Sequence, residues 1–149
     1  MEQPLINPDW HLLDKCIKEQ LTMQPATGSN ITQTLKQYIV EAHSGEVVLQ
    51  FELGDEYTQG NGVLQGGSLS MLLDMGLAFS ALTMVAEGQS ISTINLQLQF
   101  LRPAFCGRLI VRAKVKKPGR KVMFCEASLE DAEGKVLATA ESPLLVIDL

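Results

Sequence analysis

A chain of 149 residues, 46% hydrophobic and 19% charged, carries enough apolar mass for one ordinary domain and is neither disordered nor low in complexity. Its three cysteines, Cys16, Cys106 and Cys125, are widely spaced, and only His11 and His43 accompany them. That composition argues against a disulfide framework and a metal centre, and it fits a reducing compartment.

The net charge of −5 hides a strong asymmetry. Residues 1–100 hold three basic and eleven acidic side chains, whereas residues 102–121 hold eight basic ones and no acid. A basic segment in an acidic protein suits a small polyanion; a long nucleic-acid backbone would be repelled by the acidic remainder. A solvated strand face accounts for the segment equally well on charge alone. The start, MEQPLINPDW, lacks the basic residues and apolar run of a secretory signal, so a cytoplasmic location is expected.

Asn7-Pro8-Asp9 reads as an N-cap followed by proline at the first helical position, and Leu13, Cys16, Ile17, Gln20 and Leu21 extend an amphipathic helix over 8–22. A loop is expected over 23–30. Strands are expected over 35–43 and 46–53, joined at Ser44-Gly45, with Val47, Leu49, Phe51 and Leu53 on one face. After a glycine-rich loop to Leu64, the stretch from Gly66 to Ala86 has only Ser68, Ser70, Asp74, Ser80 and Thr83 as polar side chains. An aspartate near its centre and the lack of flanking cations argue against a membrane span. A helix apolar on every side is one wrapped by other structure.

Beyond Gly88 the period becomes two. Ile94, Leu96, Leu98 and Phe100 fall on one face and Thr93, Asn95, Gln97 and Gln99 on the other. Leu109, Val111, Ala113 and Val115 alternate with Arg108, Arg112, Lys114 and Lys116, and turns at Pro118-Gly119 and 131–134 separate two further strands over 120–129 and 135–147. Strands with no helices between them specify an antiparallel sheet, so the fold class is α+β. The division expected is one domain over 1–149, with an N-terminal helix and loop at 1–30 and the core at 31–149.

No GxSxG, Walker or HExxH sequence occurs, and neither histidine is placed for a triad. The chemical candidate is Asp74, because a carboxylate in an apolar helix is costly unless it is partnered or used. One alternative is structural, a hydrogen bond to a neighbouring hydroxyl such as Thr93. The other is catalytic, with Gly66-Gly67 opening the helix and offering amide donors and the positive end of its dipole to a developing oxyanion. Eight residues separate Gly66 from Asp74, about 12 Å along one helix. Both cannot touch one carbon, so joint action demands two copies with their helices side by side and opposed.

The run Gly62-Val63-Leu64-Gln65-Gly66-Gly67-Ser68-Leu69 with Asp74 and Gly76, followed by Phe100-Leu101-Arg102-Pro103-Ala104 and Gly107-Arg108-Leu109, resembles the hot-dog-fold acyl-CoA thioesterases of the phenylacetate-degradation (PaaI-like) type. The resemblance covers about residues 36–147. It implies an antiparallel sheet wrapped around one long helix, and a homodimer or homotetramer with its site between subunits. It also implies hydrolysis of an acyl-CoA thioester with no cofactor. In these terms Asp74 is the nucleophile or the general base, and the Gly66 amide polarises the carbonyl. Gln59 orients substrate or water, and Thr93 assists water. Gln65 stands where the family usually has histidine, and it cannot carry a proton. A non-catalytic acyl-CoA or lipid-binding protein is the alternative that this departure leaves open. Arg102, Lys116, Arg120 and Lys121 are the candidates for the nucleotide phosphates. Met71, Met75, Leu77, Leu82 and Met84 are candidates to line the acyl group.

Overall fold

The structure, a computed structural model, describes residues 6–149. The first helix, α1 (Pro8–Glu19), begins where its cap dictates: the Asn7 side chain accepts from the amides of Asp9 (3.1 Å) and Trp10 (3.3 Å). It stops at Gln20, whose backbone turns left-handed, so it is shorter than the apolar spacing suggested. The segment expected to be loop contains a two-residue strand, β1 (Gln24–Pro25), and leads into a short helix, α2 (Asn30–Thr34). Ser29 and Thr32 form a reciprocal capping box there, which holds a helix that its β-branched residues would not favour.

The hairpin of β2 (Tyr38–His43) and β3 (Glu46–Leu53) turns at Ser44-Gly45, with Gly45 at φ 82°, and Val47, Leu49, Phe51 and Leu53 are all buried. A 3-10 turn (Asp55–Tyr57) and a loop then reach the long helix α3 (Gly66–Leu82). The rest is β4 (Gln89–Thr93), β5 (Gln97–Phe100), β6 (Gly107–Lys117), β7 (Val122–Glu130) and β8 (Val136–Asp148). All pairings are antiparallel, in the order β1-β2-β3-β6-β7-β8-β4, with β5 also on β8. This is the hot-dog arrangement, with the sheet curled around α3, which touches β3, β4, β6, β7 and β8.

The helix lies close against the sheet at Gly76. A Cβ there would lie 2.3 Å from Val111 Cγ1, so glycine is what lets α3 sit down on β6. The helix ends four residues before the apolar run does. The Thr83 hydroxyl bonds the Ser80 carbonyl (2.6 Å) and accepts from the Gly45 amide in the hairpin turn (2.8 Å), so a tertiary contact fixes the stop. No helix of the described residues is long and apolar enough to cross a membrane.

The expected strand over 93–100 is interrupted. Thr93 pairs with Leu144 and Gln97 with Glu141, so three residues of one strand face two of the other: a β-bulge. Pro143 is the physical reason. Its carbonyl accepts from the Ile94 amide, so its missing N–H also faces this side and the ladder lacks a donor. The Ser142 hydroxyl bonds the Asn95 carbonyl and fastens the bulge.

Candidate active site

Helix α3 supplies both predicted chemical groups. At its start Gln65 is the N-cap residue, but its side chain makes no cap hydrogen bond and is exposed. The hydroxyls that could have capped the helix are engaged elsewhere, Ser68 with the Tyr57 carbonyl and Ser70 with the Gly66 carbonyl (2.8 Å). The Gly66 and Gly67 amides have no partner among the described residues, so the positive helix end is open to an acceptor from outside. Tyr57 fixes this entrance through its carbonyl, which accepts from the Gln65 amide (2.9 Å). Gln59 is exposed on the same glycine-rich loop, which closes through the Thr58–Leu64 bridge. Gln59, Gln65 and Gly66 therefore share the helix entrance.

Asp74 lies two turns further along. The Thr93 hydroxyl donates to its Oδ1 at 2.7 Å, and Oδ2 is neither bonded by a described residue nor sealed from solvent. This contact depends on the bulge. An unbroken strand would put Thr93 opposite Leu96 and Leu98, on the outer face with Gln97 and Gln99. The extra residue reverses that, so Thr93 pairs with buried Leu144 and faces the helix while Ile94 turns outward.

The helix is wrapped on all but one side. Gly67, Ser70, Met71, Asp74, Met75 and Ala78 follow a three-to-four spacing and remain partly or fully exposed, whereas their neighbours Leu69, Leu72, Leu73, Gly76 and Leu77 are buried. Asp74 is therefore half-buried in an open stripe, not enclosed. Of the five acyl-lining candidates only Met71 and Met75 lie on that stripe. Leu77 and Leu82 belong to the core, and Met84 lies past the helix end against Gly45. Phe100, which the sequence placed on the apolar face of its strand and within a motif but not at the site, brings its ring against Gly66.

Three of the eight cations in the basic segment are paired with two carboxylates from the neighbouring strand. Cross-strand register sets Arg112 beside Glu130 (3.2 Å) and Lys114 and Lys116 beside Glu126 (3.3 and 3.2 Å). Burial pushes the Glu126 carboxyl up, but the two ammonium groups outweigh it and hold it below its usual range. Arg120 and Lys121 form no ion pair among the described residues. The Lys121 carbonyl accepts from Val146, which pairs with Ile91, so this turn sits one strand away from β4. Arg102 is at the opposite end, donating to the Val136 carbonyl at the start of β8. The four candidate cations are thus in different settings: Lys116 is paired, Arg102 lies at the far end of β8, and Arg120 and Lys121 are exposed together at the turn. A groove of about 700 Å³ lies on the outer face of the sheet over these charge pairs, and Asp74 is not among the residues that line it.

Residues 61–138, which span the helix entrance, α3 and β4 to β7, match the thioesterase superfamily. The chain belongs to that superfamily. Membership makes it a thioester hydrolase. A candidate esterase of Saccharolobus solfataricus is 30% identical over 102 residues, covering 68% of this chain and 72% of that protein. A candidate thioesterase from Ralstonia eutropha, described as related to phenylacetic acid degradation, superposes with a TM-score of 0.78 at 29% identity, over 89% of this chain and 98% of the other. The Escherichia coli PaaI protein shares the fold, with a TM-score of 0.77 over 96% of both chains at 18% identity.

Proposed function

We propose that the protein hydrolyses acyl-CoA thioesters at a site completed by a second copy of the chain. The observation that carries this reading is the open stripe on α3, with Asp74 bonded by Thr93 and directed outward (2.7 Å) and the unpartnered Gly66 amide on the same helix. Two such helices packed with opposite polarity bring Asp74 of one protomer to Gly66 of its partner, which one helix alone cannot do.

The thioester carbonyl oxygen accepts from the Gly66 amide, where a negative charge develops as the carbon becomes tetrahedral. The Asp74 carboxylate either attacks that carbon or takes a proton from the water that does, with the Thr93 hydroxyl holding it in place. The C–S bond breaks and the CoA thiolate leaves. On the water route the acid forms directly, and the proton taken by Asp74 passes to the thiolate or solvent. Direct attack instead leaves a mixed anhydride on Asp74, which a water molecule then hydrolyses to the acid. Gln65 cannot supply a proton, so the thiolate leaves without imidazole assistance; a thiol of ordinary acidity, pKa about 8.5, tolerates that. Gln59 beside Gln65 orients the substrate or the water. The exposed, unpaired Arg120 and Lys121 suit the nucleotide phosphates better than Lys116, which Glu126 occupies, while Arg102 is too far along the sheet to act with them.

The decisive experiment is thiol release from acyl-CoA substrates by the wild-type protein and by Asp74→Asn, alongside light scattering. Asp74→Asn keeps the side-chain volume and should lose about 10²–10⁴-fold in rate as a folded dimer. A folded variant with near wild-type hydrolysis, or full activity in a monomer, refutes the proposal.

A further inference from the structure

We infer that Phe100 is the acyl wall of this site, a substrate-binding residue that selects an apolar acyl group longer than acetyl. The inference rests on the proposed hydrolytic roles of Asp74 and Gly66. Phe100 ends β5 and pairs with Ala138, which is buried, so its side chain is on the helix side of the sheet. The ring edge meets the first residue of α3: Cζ, Cε1 and Cε2 lie 3.5, 3.7 and 3.8 Å from where a Cβ on Gly66 would stand. With the carbonyl oxygen on the Gly66 amide, the ring stands beside the path of the acyl chain beyond its first carbon, which acetyl lacks.

The ring is 52% exposed, although the other helix-facing residues of its row, Ala138, Leu129 and Val111, are buried. Its exposure follows from topology. Strand β5 is bonded only to β8, and no described element covers the outer side of the ring. In a single copy an aromatic face so exposed forgoes part of a large burial gain, and an apolar occupant recovers it. The following segment is of the same character. Leu101 and Phe105 are exposed, and the Ala104 carbonyl accepts from Leu64 just ahead of α3 (2.8 Å).

Chemistry distinguishes which arm of the thioester meets this wall. The pantetheine arm carries amides, which need hydrogen-bonding partners, and the polar Gln59 and Gln65 of the glycine-rich loop can provide them. The Phe100 side offers no polar side chain from Leu98 to Leu101 on the inner face, which suits hydrocarbon.

The test compares Phe100→Ala and Phe100→Leu with wild type on acetyl-CoA and hexanoyl-CoA, with light scattering on each preparation. For Phe100→Ala, kcat/KM on hexanoyl-CoA should fall about ten-fold or more, mainly through KM, as expected for loss of a buried apolar contact. On acetyl-CoA the change should stay within about two-fold, and Phe100→Leu should recover most of the loss. Equal loss on both substrates, or dissociation of the variant into monomers, overturns the inference, because the ring would then support the assembly. Should the wild type hydrolyse no thioester, the hydrolytic reading fails separately, and calorimetry reads the wall directly. Hexanoyl-CoA must then bind wild type more tightly than acetyl-CoA does, with that preference lost in Phe100→Ala; no preference overturns the inference.

Discussion

Replacing Gly76 by alanine tests the docking of helix to sheet and the geometry of the site together. The added methyl would sit 2.3 Å from Val111 Cγ1 and 3.5 Å from Ala113 Cβ. Carbon atoms prefer about 3.5–4.0 Å, so the helix must lift from β6 by more than about 1 Å. Val111 cannot give way easily, since it is fully buried in mid-strand and its branched side chain is restricted at χ1. Overpacking of this kind costs about 1–3 kcal/mol, while exchanging glycine for alanine within a helix returns about 1 kcal/mol. The balance is a net loss of about 0–2 kcal/mol, which corresponds to a fall in Tm of up to roughly 8 °C for a chain of this size. Asp74 is two residues from Gly76, so lifting the helix also draws its carboxylate away from Thr93. Turnover per folded molecule should therefore fall as well. Differential scanning calorimetry and thiol-release assays on one preparation measure both effects. Adding Val111→Ala removes the obstructing methyls and should restore much of the activity, a coupling that the double-mutant cycle isolates. A Gly76→Ala protein with higher Tm and undiminished hydrolysis would refute the close-contact argument.

Thr93→Val keeps the shape of the side chain but removes the donor to Asp74 (2.7 Å), so hydrolysis should drop while Thr93→Ser retains most of it; equal activity in both variants would remove the hydroxyl from the mechanism. Asp9 tests a pH effect. Burial raises its carboxyl above the usual range, and Oδ1 is buried without a partner. The folded state therefore holds a proton that the unfolded state has released, and stability falls as pH rises through that window. Asp9→Asn should be the more stable protein at neutral pH, and its advantage should vanish on acidification below the carboxylate range. Chemical denaturation at neutral and acid pH checks this, and a constant difference between the two proteins would contradict it.

Local sequence determined much of this protein. Asn7-Pro8 started α1, Ser44-Gly45 turned the hairpin, and alternation at Val47–Leu53 and Leu109–Ala113 marked the buried faces, because each depends on interactions within a few residues. The placement of Gly66 and Asp74 on one helix was equally legible, as was the conclusion that they cannot serve one carbon together. Four features required the tertiary structure. Thr83 stops α3 through the Gly45 amide, a contact across 38 residues. Glu126 and Glu130 pair with Arg112, Lys114 and Lys116 of a segment that contains no acid of its own, because antiparallel register sets β7 against β6. The stripe of α3 that stays open is whatever the curled sheet fails to cover. Thr93 reaches Asp74 because Pro143, on a different strand, lacks the N–H that a regular ladder would use there. A period-two pattern cannot report a bulge imposed by its neighbour, and one extra residue is enough to reverse which side chain faces the helix.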